Sequence, residues 1–523
     1  MNIILTINVI VAVVFACCYA YQLFFLAVPF TRKQEAHKPE VLHRFAILIC
    51  ARNESAVIAD LLQSIQHQSY DQSLITTFVM ADNCTDNTAE IARQNGAVVY
   101  TRFNKEKVGK GYALEQLLKN IEEDYPQTFD GFFVFDADNV LDCHFVEAMN
   151  RTFTDGYEVV TSYRNSKNYG ENWISAGYAL WFIRESRYLN NSRMLMGTSC
   201  SISGTGFLFS RKVIESTNGW VFHLLTEDIE FSVYHILQGR TIGFCADAVL
   251  YDEQPATFRQ SWRQRLRWAR GVLQVFRKYG FGLIKGMGKG SFSCYDMSMT
   301  VMPAFLLTVA LIVSYLVVGL SALGGGVGSE ITFFQGLYYI LQMLAGLYGV
   351  LFVVGLFTTI TEWENIHTTP AKKVLYTITF PIFMLTYIPI SLVALFSRKV
   401  QWKPIQHHRA DRRAPNGFKT NDTHPAPPPL GGGVFLEPGR KGGAPPWTSP
   451  ASTTPGFRTG NVNTSPATKG CGRRSLTASS ATAPCTGTPT AGAASCCGTG
   501  SRTAPTACCP TTGWRVTPTS KPN

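Results

Sequence analysis

Long apolar runs flank a central region in which short apolar runs alternate with helical patterns. Residues 3–28 are almost continuously apolar, and about 20 such residues are enough for a helix to span a bilayer. Three further apolar runs of similar length follow the central region, at residues 301–323, 334–357 and 374–396. The pattern therefore predicts four spanning segments around one large domain.

Charges beside the apolar runs indicate how the chain crosses the membrane. Arg32 and Lys33 directly follow the first run, which predicts a cytoplasmic central domain because basic residues collect on that side. A cleaved signal peptide is the weaker interpretation, since no basic residue precedes the run. Three later spans would put the C-terminus outside, yet basic residues follow the last run. We expect the last segment, which contains Pro381 and Pro389, to be broken or re-entrant, with a failure of the charge rule as the alternative.

The central region, residues 43–258, has the pattern of an α/β domain. Predicted strands lie at residues 45–50, 75–80 and 97–100, and helical patterns follow at residues 57–66 and 89–95. Such alternation predicts a parallel sheet, which binds ligands beyond the carboxyl ends of its strands. Polar clusters follow strands at residues 52–54, 82–86 and 136–138. Each could be an ordinary turn, but together they predict one nucleotide-binding crevice.

The sequence F-F-V-F-D-A-D-N at residues 132–139 is the centre of this pattern. A buried strand there delivers Asp136 and Asp138, and the alternation of an extended chain puts both on one side. Two close carboxylates repel each other unless a divalent cation offsets their charge. We interpret them as holding a metal against the diphosphate of an activated sugar. An Asp-rich turn before the next helix is the alternative.

Two more stretches carry candidate chemistry. Residues 107–114 (K-V-G-K-G-Y-A-L) open a helix with glycines and lysines, a combination that suits phosphate. Thr226, Glu227 and Asp228 form a second acidic cluster, and a sugar transferase needs a carboxylate to take the proton from its acceptor hydroxyl. A capped helix start, with Thr226 as N-cap, is the alternative interpretation.

Residues 259–295 are predicted to form a basic amphipathic helix at the membrane surface. An apolar stripe and a basic face repeat with helical period; the stripe is Trp262, Leu266, Ala269, Leu273 and Phe276, and the basic face is Arg263, Arg267, Arg270, Gln274 and Arg277. Within it, the sequence Q-R-L-R-W at residues 264–268 supplies guanidinium groups suited to a diphosphate and an indole suited to a sugar ring.

Composition changes this interpretation mainly at the C-terminus. Residues 413–523 carry 11 Lys/Arg and only 2 Asp/Glu, so that segment accounts for +9 of the net charge of +11. A nucleic-acid partner loses most of its support. No Cys/His spacing resembles a zinc site or a disulfide framework. From about residue 414 the chain is low in complexity and should be disordered. A shifted reading frame and a regulatory tail both explain that composition.

The ordered motifs carry a resemblance. Asp82, D-A-D at 136–138, T-E-D at 226–228 and Q-R-L-R-W at 264–268, behind an apolar N-terminal segment, resemble the membrane-integrated family 2 glycosyltransferases. That family includes cellulose, hyaluronan and poly-N-acetylglucosamine synthases. The resemblance covers roughly residues 1–405. It implies an α/β GT-A fold, a UDP-sugar donor, Mg²⁺ or Mn²⁺, and inversion at the anomeric carbon.

Carried over motif by motif, the resemblance implies a role for each residue. Asp228 would be the general base, with Glu227 and Arg267 also catalytic, and Asp138 would bind the metal. The implied substrate-binding residues are Glu54, Asp82, Lys110, Asp136, Gln264, Arg265 and Trp268. Ala81 departs from the family, which often has a further Asp there, so the role of Asp82 assumes that the second acid is the essential one.

The predicted function is inverting transfer of a sugar from a UDP-sugar to a growing β-linked polysaccharide. Alternatives are transfer of one sugar to a polyprenyl phosphate, and a non-enzymatic membrane scaffold or transporter. Expected partners are the donor, a glycan acceptor and membrane lipids, without nucleic acid. Four spans are few for a self-contained polymer channel, so a partner subunit or self-association is a further expectation. The expected boundaries are 1–30 for the first span, 31–258 for the catalytic domain, 259–295 for the interfacial helix, 296–398 for the later spans and 399–523 for the tail.

Overall fold

A computed structural model describes residues 3–302, 310, 313 and 333–397 of the 523-residue chain. Most of the span predicted at residues 301–323 lies outside the described residues. The tail predicted over residues 399–523 lies entirely outside them.

One eight-stranded sheet forms the centre of the protein. Its strands are β1 (Phe45–Ala51), β2 (Ile75–Asp82), β3 (Val98–Arg102), β4 (Gly131–Asp136), β5 (Val140–Leu141), β6 (Val159–Ser166), β7 (Phe207–Ser210) and β8 (Ile242–Asp252). Strands β1 to β4 match the runs of apolar residues from which they were predicted. The predicted strand at residues 75–80 extends two residues further, so Asp82 belongs to the strand end itself.

The strand order is β3-β2-β1-β4-β7-β6-β8-β5, and the sheet is mixed. The first four strands run parallel, as the strand–helix alternation predicts. The expectation of a wholly parallel sheet is wrong, because β7 is antiparallel to both β4 and β6, and β5 is antiparallel to β8. The carboxyl ends of β1, β2 and β4 share one edge, so the polar clusters that follow them are brought together.

The helices number fourteen in the described part of the chain. They are α1 (Ile3–Thr31), α2 (Ile58–Gln66), α3 (Thr88–Gln94), α4 (Lys110–Asp124), α5 (Phe145–Thr154), α6 (Trp173–Arg184), α7 (Asn191–Leu195), α8 (Arg211–Glu215), α9 (Glu227–Leu237), α10 (Phe258–Gly288), α11 (Phe292–Val301), α12 (Phe333–Thr361), α13 (Pro370–Leu385) and α14 (Tyr387–Phe396). A 3₁₀ turn spans Gln72–Leu74, and a π-helical turn spans Glu185–Asn190 between α6 and α7.

Both faces of the sheet are covered, because side chains of each strand alternate between two cores. Phe132 and Val134 of β4 point to the core that contains α4, α6 and α9. Phe133 and Phe135 point to the opposite core, where α2 and α5 pack. This accounts for the continuous apolar runs of the central strands, which are buried on both sides.

Two described stretches, Leu341–Thr361 and Pro370–Phe396, are long and apolar enough to cross a membrane. The described part of the N-terminal helix contributes a shorter apolar stretch, Ala16–Thr31. The last stretch divides at Thr386, between α13 and α14, while Pro381 lies within α13. The interruption therefore falls between the two prolines rather than at either of them.

Helix α10 is 31 residues long, and its fully buried positions are not those of the predicted apolar stripe. Its buried positions are Ser261, Arg265, Gly271, Val275, Gly280 and Leu283, whereas the five stripe residues are all partly exposed. The physical reason is that Leu266, Ala269 and Leu273 of the stripe line an open cavity.

Candidate active site

A cavity of about 940 Å³ lies against the carboxyl edge of the parallel strands and extends along α10. Ten of the eleven residues predicted as functional line it: Glu54, Asp82, Lys110, Asp136, Asp138, Glu227, Asp228, Gln264, Arg267 and Trp268. The predicted crevice therefore exists, and residues up to 214 positions apart in sequence meet in it. Arg265 is the one that the structure does not bring there.

The loops after β1 and β2 are fastened to each other. The Asn53 side chain accepts a hydrogen bond from the Thr85 backbone N–H at 2.8 Å, and Asp86 accepts one from the Ser55 N–H at 3.2 Å. Asn53 and Asn83 have positive φ angles, which asparagine tolerates better than most residues. Asp86 thus joins two loops, and these bonds fix the edge of the cavity near Glu54.

Asp82 forms an ion pair with Arg102, at 2.6 Å, and both side chains are largely buried. Arg102 stands at the end of β3, beside β2, and also donates to the Lys107 carbonyl oxygen at 2.6 Å. The sequence interpretation missed Arg102. Its only sequence signal is its place at the end of a short strand, and the pairing depends on the β2–β3 register.

Lys110, at the start of α4, contacts two parts of the cavity wall. Its ammonium group lies 2.5 Å from Asp136 and donates to the Gly204 carbonyl oxygen at 2.8 Å. Burial by itself would lower the pKa of Lys110, but the charges of Asp136 and Glu227 outweigh burial and raise it. Lys110 therefore stays protonated and offsets part of the acidic charge of the cavity.

Gly111 explains how α4 comes so close to the loop before α9. A Cβ atom at this position would lie 2.2 Å from the Phe222 carbonyl oxygen, which no side chain can accommodate. Glycine therefore allows the two segments to touch. The contact puts Lys110 on the same wall as the acidic start of α9.

Asp138 follows β4 in a tight turn, and its carboxylate accepts a hydrogen bond from the Glu253 N–H at 3.3 Å. Among the described residues, no group of three or more His, Cys, Asp or Glu side chains is arranged to hold a metal ion. Mg²⁺, however, is usually bound by one or two carboxylates together with substrate phosphates. Asp138 and Asp136 fit such an open oxygen site, so the donor set is compatible with Mg²⁺ or Mn²⁺.

Arg164 and Asp252 form a second buried ion pair in the cavity wall. The Arg164 Nε atom lies 2.7 Å from Asp252, and its guanidinium lies over the Phe182 ring at 3.7 Å. Burial raises the pKa of Asp252 while Arg164 opposes that shift. The sequence interpretation missed this pair, because the two residues are joined only by the register of β6 and β8.

Glu227 and Asp228 occupy the first turn of α9 and face the cavity. Burial and the neighbouring charge of Asp228 raise the pKa of Glu227 to about 7, and burial also raises the pKa of Asp228. Asp228 Oδ2 would lie 3.8 Å from a Cβ atom built on Gly204, the residue to which Lys110 donates. Thr226 precedes the helix but makes no side-chain cap, so the capped-start alternative is wrong in that detail.

The loop before Thr226 is fixed by α9 and α10. Glu230, fully buried, accepts hydrogen bonds from the His223 and Leu224 N–H groups at 3.0 and 2.9 Å, and Lys278 of α10 reaches the same carboxylate at 2.7 Å. Arg267 donates to the Leu225 carbonyl oxygen at 3.1 Å. The position of the acidic pair therefore depends on α10.

The residues of Q-R-L-R-W lie in two different environments. Gln264, Arg267 and Trp268 line the cavity, and the Trp268 ring packs edge-on against Tyr178 at 5.7 Å.

Arg265 points the other way. Its guanidinium donates to the Phe383 carbonyl oxygen at 3.1 Å and to the Thr386 hydroxyl at 2.7 Å, and lies over the rings of Phe383 and Tyr387 at 4.4 and 4.9 Å. The structure therefore places Arg265 outside the cavity, where it satisfies the backbone at the interruption between α13 and α14.

The far end of the cavity is apolar. Its lining is mainly aliphatic and small side chains of five helices: Leu266, Ala269, Val272 and Leu273 of α10, Val301 of α11, Leu347 and Leu351 of α12, Met384 and Leu385 of α13, and Ile388, Ala394 and Leu395 of α14. Thr300, Tyr387 and Ser391 of the same helices also line the cavity. The cavity therefore has a polar end at the strand termini and the starts of α4 and α9, and a mainly apolar end formed by the later helices.

Residues 43–271 match the family model described as Glycosyltransferase like family 2. This segment is a family 2 glycosyltransferase domain. The match confirms the predicted glycosyltransferase and, with the sheet described above, the predicted GT-A fold. It begins just before β1 and ends within α10, so it contains every predicted site residue.

Curated relatives match over the same region. A beta-monoglucosyldiacylglycerol synthase from Nostoc sp. is 26% identical over 278 residues, which cover 51% of this chain and 57% of that protein. A poly-beta-1,6-N-acetyl-D-glucosamine synthase from Staphylococcus aureus is 26% identical over 261 residues, covering 47% of this chain and 60% of that protein. The match thus spans less than two thirds of the length of either relative.

Among solved structures, a mannosyltransferase from Pyrobaculum calidifontis in complex with GDP-Man and Mn²⁺ is similar to this chain. It has 14% sequence identity and a TM-score of 0.48, with coverage of 75% of this chain and all of that one.

Proposed function

We propose that this protein is a membrane glycosyltransferase that moves a sugar from a UDP-sugar to an acceptor hydroxyl with inversion at the anomeric carbon. The observation that carries the proposal is the meeting of two groups in one cavity. Asp82, Asp136 and Asp138 lie at the strand ends with Lys110 of α4 beside them, and Asp228 faces them from the start of α9. This arrangement supports a donor site with a base beside it.

The donor would lie along the strand ends. Asp82 would contact the uridine, and Lys110 with Asp136 would border the diphosphate. Asp138, with Asp136, would hold Mg²⁺ or Mn²⁺, which supplies charge to offset the diphosphate when bound. Arg267 would offset further charge on the departing nucleotide. Trp268 and Gln264 would border the sugar.

The reaction follows from these positions. The acceptor oxygen forms a bond to the anomeric carbon while the bond from that carbon to the phosphate oxygen breaks. Asp228 takes the proton of the acceptor hydroxyl, and the electron pair of the broken bond leaves with UDP. Glu227, with a pKa near 7, would keep a second proton site beside the base. A single displacement inverts the configuration at the anomeric carbon, so a UDP-α-sugar would give a β-linked product.

The relatives support a glycolipid and a polysaccharide product equally, since both are 26% identical to this chain. A growing polysaccharide, a lipid acceptor, a partner subunit and self-association therefore remain proposals. Location in the cell membrane is supported by α12 and by the α13–α14 stretch. A cytoplasmic catalytic domain is proposed from Arg32 and Lys33.

The test is UDP release from membranes that carry the full chain, with Mn²⁺ or Mg²⁺ and a panel of UDP-sugars. We expect release with one sugar, abolished in Asp228→Asn. The matched control is Asp247→Asn, because Asp247 is exposed on β8 and lies outside the cavity. Absence of release with every sugar and acceptor would favour the non-enzymatic alternative.

A further inference from the structure

We propose that the acceptor hydroxyl belongs to an uncharged lipid, whose hydrocarbon chain lies in the apolar end of the cavity. This inference rests on the proposed function, because it names the acceptor of the same site. It departs from the glycan acceptor that the sequence motifs imply.

The first observation is continuity. One cavity of about 940 Å³ joins the acidic start of α9 to the aliphatic side chains of α10, α12 and α14. One lining residue from each helix is Leu273 of α10, Leu351 of α12 and Leu395 of α14. A glycan passing this wall would lose hydrogen bonds from its hydroxyl groups to water without replacement, which is unfavourable. A hydrocarbon chain gains from the same burial.

The second observation is that three polar side chains of the cavity wall offer it no accessible oxygen atom. Ser391 of α14 and Thr226 are 6% and 5% exposed, both line the cavity, and neither hydroxyl has a hydrogen-bond partner among the described residues. The Gln264 Oε1 atom is likewise buried without a partner in the described part of the chain. These three oxygen atoms are covered by protein, so a molecule in the cavity cannot bond to them. The wall therefore presents mainly carbon atoms there, which favours a hydrocarbon chain over a glycan.

The third observation is charge, which favours an uncharged acceptor over a lipid phosphate. The cavity is lined by nine Asp/Glu side chains and only five Lys/Arg side chains. Two of the five, Lys110 and Arg164, already form ion pairs with Asp136 and Asp252. An acceptor phosphate would add negative charge where negative charge is in excess.

The fourth observation gives the source of the lipid. Val350 and Val353 of α12 are each 62% exposed and do not line the cavity, and Val374 and Leu375 of α13 are exposed as well. These helices are apolar enough to cross a membrane, so bilayer lipids would surround the walls of the apolar end.

The first experiment compares acceptors. The full chain is reconstituted in phosphatidylcholine vesicles with the UDP-sugar that supports UDP release, and receives 1,2-dioleoylglycerol, a polyprenyl phosphate or a soluble oligosaccharide. We expect a glycosylated diacylglycerol by thin-layer chromatography and mass spectrometry. Sugar transfer only to the oligosaccharide, or preferentially to the polyprenyl phosphate, overturns the inference while the proposed function stands. Absence of UDP release in every arm counts against both.

The second experiment narrows the apolar end. Leu351→Trp fills it from α12, and Val350→Trp adds the same side chain on the exposed side of that helix. Because the larger Trp side chain would occupy space that the hydrocarbon chain needs, we expect Leu351→Trp to lower transfer to dioleoylglycerol about tenfold. Transfer to a short-chain diacylglycerol should fall less, and UDP binding should not change. Equal effects of the two variants on the long-chain acceptor would overturn the inference. If Leu351→Trp fails to fold, Leu347→Ala, which widens the same end, replaces it. We expect its preference between the long-chain and the short-chain diacylglycerol to change, and an unchanged preference would overturn the inference.

Discussion

The polar and apolar ends of the cavity are built in different ways. The polar end is formed by short segments at strand ends and at the starts of α4 and α9, so most of its predicted residues stand within a few residues of a recognisable motif. The apolar end is formed by α10, α11, α12, α13 and α14, whose contributing residues extend from Leu266 to Leu395. Apart from Leu266, which lies within Q-R-L-R-W, none of those residues belongs to a motif. The difference teaches that the chemistry of this site is local in sequence, whereas the shape that selects an acceptor comes from helix packing.

Removal of the general base should give the largest fall in the rate of sugar transfer. The loss should come from the polar end of the cavity alone. Asp228→Asn keeps the size of the side chain but cannot take a proton, so we expect sugar transfer to fall about 10³-fold. UDP affinity, measured by calorimetry, should stay within about twofold because uniform binding is untouched. Near-normal turnover would exclude Asp228 as the base, and Asp247→Asn controls for loss of an exposed carboxylate.

Loss of Asp138 should affect the donor rather than the acceptor. We expect Asp138→Ala to weaken Mn²⁺-dependent UDP binding by at least about tenfold, the usual cost of disturbing a metal site. The Michaelis constant for the acceptor should remain unchanged. The measurement is UDP affinity with and without Mn²⁺; an unchanged dependence on Mn²⁺ would refute the metal role of this residue.

The two arginines of Q-R-L-R-W have different expected roles: Arg267 binds the donor, and Arg265 packs against the later helices. Arg267→Lys should raise the donor Michaelis constant about tenfold, because lysine lacks the guanidinium fork. Arg265→Lys should leave donor binding intact and lower the thermal midpoint in detergent, because the lysine keeps the charge but loses contacts with Phe383 and Tyr387. If Arg265→Lys changed donor affinity instead, the substrate-binding role predicted for Arg265 would be favoured over its packing role.

The smallest expected effect is on the pH dependence of folding stability, through Glu227 at the polar end. Glu227 ionises at a pKa of about 7 in the folded protein, above the ordinary value of 4.5. The folded state then holds a proton that the unfolded chain has lost, so stability falls as pH rises between those values and levels off above 7. Glu227→Gln should remove that slope from the thermal midpoint. A slope unchanged in the variant would assign it to other groups.

Much of the polar end could be predicted because strand ends bring local motifs together. The mixed sheet could not be, since the direction of β7 depends on contacts between distant strands. Arg102 and Arg164 were missed for a similar reason, as each finds its acid only through strand register. Arg265 was predicted to bind substrate because it lies within Q-R-L-R-W, whose other residues line the cavity. Its position on the helical turn instead directs its side chain to the interruption at Thr386.

The anchoring of the loop before α9 has a practical consequence. Glu230 and the Leu225 backbone are held by four residues of α10, Arg267, Gln274, Lys278 and Tyr279. All four anchors come after residue 258, where the α/β sequence pattern ends. A water-soluble fragment cut at that boundary would keep the strands and the donor acids but leave the start of α9 unsupported. Such a fragment also lacks Arg267, so it should bind nucleotide more weakly and fail to turn over. Biochemical work on this enzyme therefore requires α10.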